Sequence, residues 1–373
     1  EVETAVQYGI YSGQPVTISN IPIAIASAVS SAMIPTISGL FAQGNYEGCN
    51  NKIKQAIHTT MLVAIPSMAG LFALAKPVTP LLYNLAESID ISSSLLRVLC
   101  VTVVFYSLST LTNAVLQGIG KVNIPVINAA VAITYQVGQA VNNIISSYQT
   151  AFNPHLVKLY VNNEAEKLAN TIITSSKISY YLALMMIMPL MLNMDYVLRL
   201  WLGDSIPPHT TSFCMLFLAF YAIDAMSAPL WMANQATGKI KTYNIVFAAF
   251  VLCNLPLCYI ALKLGAHPSI AFVIRIGINL LLHIFRIFYM NHQIGLPIKE
   301  YVIKSLVLPI IVTTLSVPLP MLVAAHTDGF SQLALSSLTA MLVLGAMVYL
   351  IGLNRQERGF LKAMIVSKIA KKH

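Results

Sequence analysis

Residues 271–290 read AFVIRIGINLLLHIFRIFYM, and only Arg275 and Arg286 carry a fixed charge among them. A helix of that length rises about 30 Å, the thickness of the hydrocarbon core of a bilayer. A cation at mid-bilayer costs on the order of 2.5–3.5 kcal/mol unless it faces protein or water. This stretch is therefore a membrane span with one face turned away from lipid. Arg275, Asn279, His283 and Arg286 follow at steps of four, four and three, so one helical stripe carries all of them.

The same kind of run recurs along the whole chain, near 16–42, 53–75, 93–117, 122–134, 136–154, 171–193, 212–236, 242–262, 268–290, 301–325 and 332–353. Glycines such as Gly44, Gly120, Gly203, Gly265 and Gly295 stand at their ends. Of the 373 residues, 57% are hydrophobic and only 9% charged, against roughly 25% charged in a soluble domain. A charged surface large enough for water is missing, so lipid must cover much of the outside. The runs are continuously apolar and do not alternate, which excludes a β-barrel. These features predict an all-α, polytopic helical membrane protein of 10–11 transmembrane helices.

The net charge of +9 does not point to nucleic acid, because the cations cluster in short connections between spans. Lys52, Lys54, Lys121, Lys158, Lys167, Lys239, Lys241, Lys299, Lys304 and six basic residues after Asn354 form one set of 15; Lys76, Arg199 and Lys263 form the opposing set. Such a bias marks the cytoplasmic side. Placing Lys121 and Lys158 on that side requires an even number of crossings between them, so two short helices are expected at 122–134 and 136–154. This gives 11 crossings and a cytoplasmic C-terminus. The tail 354–373 mixes Phe360, Met364, Ile365 and Ile369 with Lys362, Lys368, Lys371 and Lys372, as an amphipathic helix on the anionic leaflet would.

No catalytic constellation stands out: there is no His-Glu-x-x-His, Gly-x-Ser-x-Gly or phosphate-binding loop, and no pair of intramembrane carboxylates. The five cysteines lack metal-ligand spacing and read as buried thiols. Neither an enzyme nor a metal or cofactor is expected. The sequence starts at Glu1 without methionine or a signal-peptide pattern, as a fragment or trimmed product would.

Polar residues inside the spans are the candidates for function. The stripe Arg275, Asn279, His283 and Arg286 suits a hydrated path that holds an anion, although Arg286 also reaches the interface and His283 also suits a helix contact. Asp224 in FYAIDAMSAPLW is the one acid well inside a span, fit to pair with Arg275 or to couple an ion. Lys177 in TSSKISYY faces either the cavity or the interface. Gln139, Asn142, Asn143, Ser146, Gln149, Thr150 and Asn153 form an amide- and hydroxyl-rich stripe, suited equally to sugar hydroxyls and to helix–helix contacts. Ser12, Thr17, Asn20, Ser27, Ser30 and Ser31 form a similar stripe in the first span.

An internal repeat is visible. Pro35 in AMIPTISGLFAQGNYEG aligns with Pro154 in AFNPHLVKLYVNNEAEK at an offset of 119, and Gly120-Lys121-Val122 aligns with Gly238-Lys239-Ile240 at 118. Repeats of this sort are common in transporters.

From about Tyr135 onward, the strings YQTAFNPHLVKLY, SSKISYYLAL, YVLRLWLGD, DAMSAPLWMANQATGKIKTYN and NLPLCYIALKLG resemble bacterial oligosaccharide flippases of the polysaccharide-biosynthesis family. Before about Ile133, YGIYSGQPVTISNIPIAIASAVSSAMIPTIS, IPSMAGLFALAKPVTPLLY and LQGIGKVNIPVINAAV resemble sporulation-type and lipid-linked peptidoglycan precursor flippases. Both groups belong to one exporter superfamily, shared with multidrug and toxic-compound exporters. The resemblance implies translocation of a polyprenyl-diphosphate-linked oligosaccharide across the bacterial cytoplasmic membrane, by alternating access around a cationic cavity. It also implies other polysaccharide-assembly membrane proteins as partners, and no nucleic acid. Three parts are expected: a helical repeat at 1–134, a second repeat with additional helices at 135–353, and the basic tail. Both strings resemble the later portion of the superfamily's fold, so a fusion or truncation near Ile133–Tyr135 is a further expectation. A cation-coupled exporter of small molecules and an inactive fragment are the competing functions.

Overall fold

The computed structural model describes residues 10–11, 13–83, 89–355 and 357–359. Among the described residues the chain is helical with no strand, and ten helices are long and apolar enough to cross a membrane. We number them with two short helices in chain order: α1 Pro15–Ala42, α2 Tyr46–Ala73, α3 Ala75–Leu82, α4 Ile89–Gly118, α5 Asn123–Val161, α6 Ala165–Leu192, α7 Met194–Leu202, α8 Thr210–Thr237, α9 Ile240–Lys263, α10 Ile270–Ile294, α11 Ile298–Ala325 and α12 Gly329–Gly352. The protein is thus an all-α polytopic membrane protein. Its chain divides into two compact units, Glu1–Asn128 and Ala129–His373.

In the first unit α4 packs against α1 and α2. The contact with α1 is close because Gly118 has no side chain: a Cβ there would lie 2.9 Å from Ile37 Cγ2. Ile18, Ala75 and Leu96 form a small buried cluster. The α1–α2 turn is made by Gly44 at φ +70°, a conformation that only glycine adopts freely. Asn45 then caps α2, its Oδ1 accepting from the Gly48 amide at 2.8 Å. Asn45→Ala leaves that donor unpaired and is expected to cost about 1 kcal/mol. A shift of the melting midpoint in detergent measures it, and no shift beyond error would show the cap to be idle.

The sequence repeat has a structural counterpart. Tyr46 and Ala73 bound α2, Ala165 and Leu192 bound α6, and both ends are displaced by 119 residues. The same offset relates the starts of α3 and α7 and the ends of α1 and α5. Gly44 corresponds in this way to Asn163, which also adopts a left-handed backbone at φ 56°. Asparagine is one of the few side chains that tolerate that conformation. Two long helices, a short helix and a third long helix therefore succeed one another twice.

The expected pair of short helices at 122–134 and 136–154 is corrected to one helix, the 39-residue α5. Pro125 sits in its first turn, where a proline removes no intrahelical bond. From there to Pro154 there is no proline and the one glycine, Gly138, is buried against Phe217, so no breaker interrupts the run. Eleven crossings become ten candidates among the described residues. The even number of crossings between Lys121 and Lys158, on which the single-sided charge assignment rested, is absent. Within each unit the bias survives. Lys158, Lys167, Lys239, Lys241, Lys299 and Lys304 lie at the α5–α6, α8–α9 and α10–α11 connections, opposite Arg199 and Lys263. In the first unit Lys52, Lys54 and Lys121 oppose Lys76. Ser12 and the tail from Phe360 onward lie outside the described residues.

The second unit is built around α6 and α8, which pack on each other, with α12 against α6 and α10 against α8. Leu156, Ile172, Leu230 and Met290 belong to one buried cluster, and Tyr181, Leu184, Val312 and Leu344 to another. Polar side chains join the helices between the two clusters. The buried Tyr301 hydroxyl donates to the Met226 carbonyl at 3.2 Å. Ser305, in a π-helical turn at Val302–Val307, donates to the Ile173 carbonyl at 3.0 Å. Asn193 and Ser336 hydrogen-bond each other across α6 and α12, at 2.8 and 3.1 Å.

Candidate functional site

A cavity of about 490 Å³ lies within the second unit, between α5, α8, α9 and α10. Asn142 of α5, Phe220, Tyr221 and Asp224 of α8, Phe247, Val251 and Asn254 of α9, and Arg275, Ile278, Asn279, Leu282 and Arg286 of α10 line it. α10 thus supplies more of the polar wall than any other helix.

The two arginines have different surroundings. The Arg275 guanidinium lies over Phe220, Phe217 and Tyr135, with its centre 4.5, 5.1 and 5.5 Å from the ring centroids. Its Nη1 also donates to the Tyr135 hydroxyl. Aromatic faces attract a desolvated cation by up to about 2 kcal/mol, so Arg275 is largely satisfied by protein. Arg286 is 6% exposed; its Nε donates to the Tyr243 hydroxyl at 2.8 Å, and Nη1 is buried without a hydrogen-bond partner. Asn279, one and two turns from the two arginines, is also buried, with its side-chain amide toward Asp224.

Asp224 faces this wall from α8. Arg286, Arg275 and Asn279 are the groups that act on it, yet it forms no ion pair within 4 Å. The cavity wall therefore carries two fixed cations and one carboxylate. An anion with several acceptor oxygens would pair with the Arg286 guanidinium, whose buried Nη1 has no partner, once that side chain turns toward the cavity. No group of three metal-binding side chains occurs among the described residues.

The α10 stripe explains which residues reach the cavity. At about 100° per residue, Arg275, Arg286 and Asn279 fall within about 40° of one another, while His283 lies about 80° from Arg275. His283 accordingly turns out of the cavity: its Nδ1 is 2.6 Å from Ser227 Oγ, and its ring packs 5.9 Å from Tyr301. On α5 the same arithmetic places Gln149 about 80° and Asn142 about 60° to one side of Gln139, and Asn143 about 40° to the other. Gln149 is buried and donates to the Ala225 carbonyl of α8 at 3.2 Å, whereas Asn142 reaches the cavity. Gln139, Asn143 and Thr150 are exposed, and Gln139 Nε2 donates to Asn143 Oδ1 at 3.0 Å. Asn153 is half-buried with an unpaired Oδ1 and does not line the cavity.

Lys177 is likewise absent from the cavity wall. It is 4% exposed and pairs at 2.7 Å with Glu357, just beyond the last span. Phe220, Tyr221, Phe247 and Asn254 line the cavity without having been singled out in the sequence. Phe220 and Tyr221 precede Asp224 by four and three residues, the helical spacing that places side chains on one face. That spacing was the available signal.

Residues 15–137 match the family model MatE. Over 115 residues the chain is 30% identical to "Lipid II flippase MurJ" of Bacillus subtilis (strain 168), covering 30% of this chain and 21% of that protein. Over 82 residues it is 35% identical to "Sporulation protein YkvU" of the same organism, covering 22% of this chain and 18% of the relative. The chain thus spans about a fifth of the length of these curated relatives. No solved structure matches it. The resemblance to lipid-linked peptidoglycan precursor and sporulation-type flippases is borne out by these matches, and the cavity-lining residues 142–286 lie outside the MatE segment.

Proposed function

We propose that this chain is a transporter that moves a polyprenyl-diphosphate-linked oligosaccharide or polysaccharide precursor across the bacterial cytoplasmic membrane by alternating access. The observation that supports this most is a 490 Å³ cavity walled by Arg275, Asn279 and Arg286, with Arg286 Nη1 buried and unpaired. A buried donor without a partner costs about 1–3 kcal/mol, more for a charged group, and phosphate oxygens would relieve that cost. Arg286 and Asn279 hold the diphosphate, Arg275 adds long-range attraction, and the amides of Asn142 and Asn254 meet the sugar. The lipid tail stays in the bilayer. The partial likeness to a protein named as a lipid II flippase agrees with a lipid-linked substrate. By the charge bias of the second unit, the C-terminus is cytoplasmic, and other polysaccharide-assembly membrane proteins supply and receive the substrate.

A cation-coupled exporter of small hydrophobic compounds is the second reading, favoured by Asp224 in the cavity wall. The two arginines on the same wall disfavour a cationic cargo. Transport of a fluorescent polyprenyl-diphosphate sugar into proteoliposomes separates the two. Arg286→Gln removes the charge, and the initial rate is expected to fall at least about tenfold, as loss of one charged hydrogen bond predicts. Unchanged transport by a folded Arg286→Gln protein would end the first reading. Proton- or sodium-dependent dye efflux abolished by Asp224→Asn would establish the second.

A further inference from the structure

We infer that a second copy of this chain docks on the polar face of α5, held by hydrogen bonds between Gln139 of each copy and Asn143 of the other. The inference is independent of what the cavity carries.

Gln136, Gln139, Asn143, Ser147 and Thr150 are all exposed. At about 100° per residue they share an arc of about 80° on α5. The depth of this face follows from the contacts on the other side of the helix. Gly138 lies against Phe217 and Tyr221 of α8, and Gln149 donates to the Ala225 carbonyl. The stretch 138–150 is therefore level with 217–225, the middle of the 28-residue span Thr210–Thr237. An exposed amide at that depth meets hydrocarbon unless something covers it, and hydrocarbon offers it no hydrogen bond.

The hydroxyls on this face need no outside partner. Ser147 donates to the Asn143 carbonyl at 2.7 Å and Thr150 to the Ser146 carbonyl at 2.8 Å. The amides do need one. Gln139 Nε2 donates to Asn143 Oδ1 at 3.0 Å, which leaves Gln139 Oε1 free to accept and Asn143 Nδ2 free to donate. That acceptor and that donor sit side by side on one face. Copies inserted the same way are related by a two-fold axis along the membrane normal, and such an axis sets each group opposite its complement. Asn143 Nδ2 of either copy then donates to Gln139 Oε1 of the other, and four amides close one ring. Amides join transmembrane helices in this manner, and the small, exposed Ala140 and Ala151 beside the face let two backbones approach. A lipid tail has neither donor nor acceptor, and a partner of other sequence would need the same pair at the same depth. Asn142, about 60° from Gln139, lines the cavity, so the second copy stands at the α5 edge of that cavity.

Fluorescence energy transfer between two separately labelled pools of the full chain tests this, with both pools reconstituted in the same liposomes at falling protein-to-lipid ratios. The parent is expected to show transfer that declines on dilution as a monomer–dimer equilibrium does. Gln139→Leu combined with Asn143→Leu should weaken association about tenfold, the effect of losing two interhelical hydrogen bonds. Ser147→Cys supplies a second readout. Oxidation by copper phenanthroline in air should join two copies through that thiol, whereas the parent, whose own Cys253 is exposed on α9, should give no covalent dimer. If the double leucine variant does not fold, the cross-link decides alone. A parent that stays monomeric at every ratio overturns the inference and leaves the face to lipid, water or a different protein. Association undiminished in the double variant, or no more covalent dimer from Ser147→Cys than from the parent, also overturns it, because the contact then lies elsewhere.

Discussion

Glu357→Leu is expected to cost about 3 kcal/mol of stability, the low end of the range for removing one partner from a buried ion pair. The charge it strands is Lys177, 4% exposed and 2.7 Å from Glu357 Oε2. Glu357 also accepts from the Thr174 hydroxyl at 3.3 Å and from the Asn354 amide at 2.8 Å, while Asn354 Oδ1 accepts from the Glu357 amide at 2.8 Å. This reciprocal cap starts the helical turn after the last span and places the carboxylate over α6. The loss is therefore electrostatic and local at once, and Asn354→Ala reports the cap alone. Lys177→Met combined with Glu357→Leu removes both charges, and most of the stability should return, since a buried pair is often no better than apolar residues of similar volume. Melting in detergent measures all of these. A single variant as stable as the parent, or a double variant worse than either single one, would show that burial of this pair is not what holds the turn.

Lys177 also marks the limit of what its own helix disclosed. On sequence, a lysine a few turns into an apolar run has two outlets, a wet cavity or the interface. The third outlet, a carboxylate 180 residues away, is a tertiary fact with no local signature. The spans themselves were legible because lipid imposes length and apolarity on every crossing. The repeat was legible too, in Pro35 and Pro154 at an offset of 119 and in the Gly-Lys pairs at 118, and in the structure Gly44 and Asn163 answer the same backbone demand at matching positions. The break expected inside α5 came from charge counting, and its residues offered no turn chemistry to support it.

The polar stripes were half legible for a geometric reason. A stripe of steps three and four covers an arc of 80° or more, but a neighbouring helix meets only part of that arc. On α10 the arc holding Arg275, Arg286 and Asn279 meets the cavity and the one holding His283 does not. On α5 only Asn142 of the amide stripe lines it. Periodicity identifies a face; the angle at which the partner helix arrives selects the residues.

Gly138 is where α5 meets the aromatic rings of α8, and Gly138→Val carries the second large expectation. A Cβ built there lies 2.5 Å from Phe217 Cδ1 and Cε1 and from Tyr221 Cε2, more than about 1 Å inside normal carbon–carbon contact. The Phe217 ring is fully buried, with Tyr135, Phe220, Tyr221 and Phe272 at centroid distances of 4.6, 5.7, 4.9 and 5.9 Å. Relief therefore requires either that the rings shift toward the cavity that Phe220 and Tyr221 line or that α5 and α8 separate. Over-packing of this kind costs about 1–3 kcal/mol and sometimes more. The same rings enclose Arg275, and Tyr221 lines the cavity. Affinity for an anionic phosphodiester should therefore fall together with the melting midpoint, although no cavity side chain has been replaced. Gly138→Ala decides between close packing and intrinsic propensity. In a helix interior, alanine is favoured over glycine by about 0.8–1.0 kcal/mol, so propensity alone predicts a more stable protein. The 2.5 Å contact predicts the opposite sign. A Gly138→Ala protein that melts higher than the parent and binds the probe as well would show that the α5–α8 approach is looser than the ring positions require.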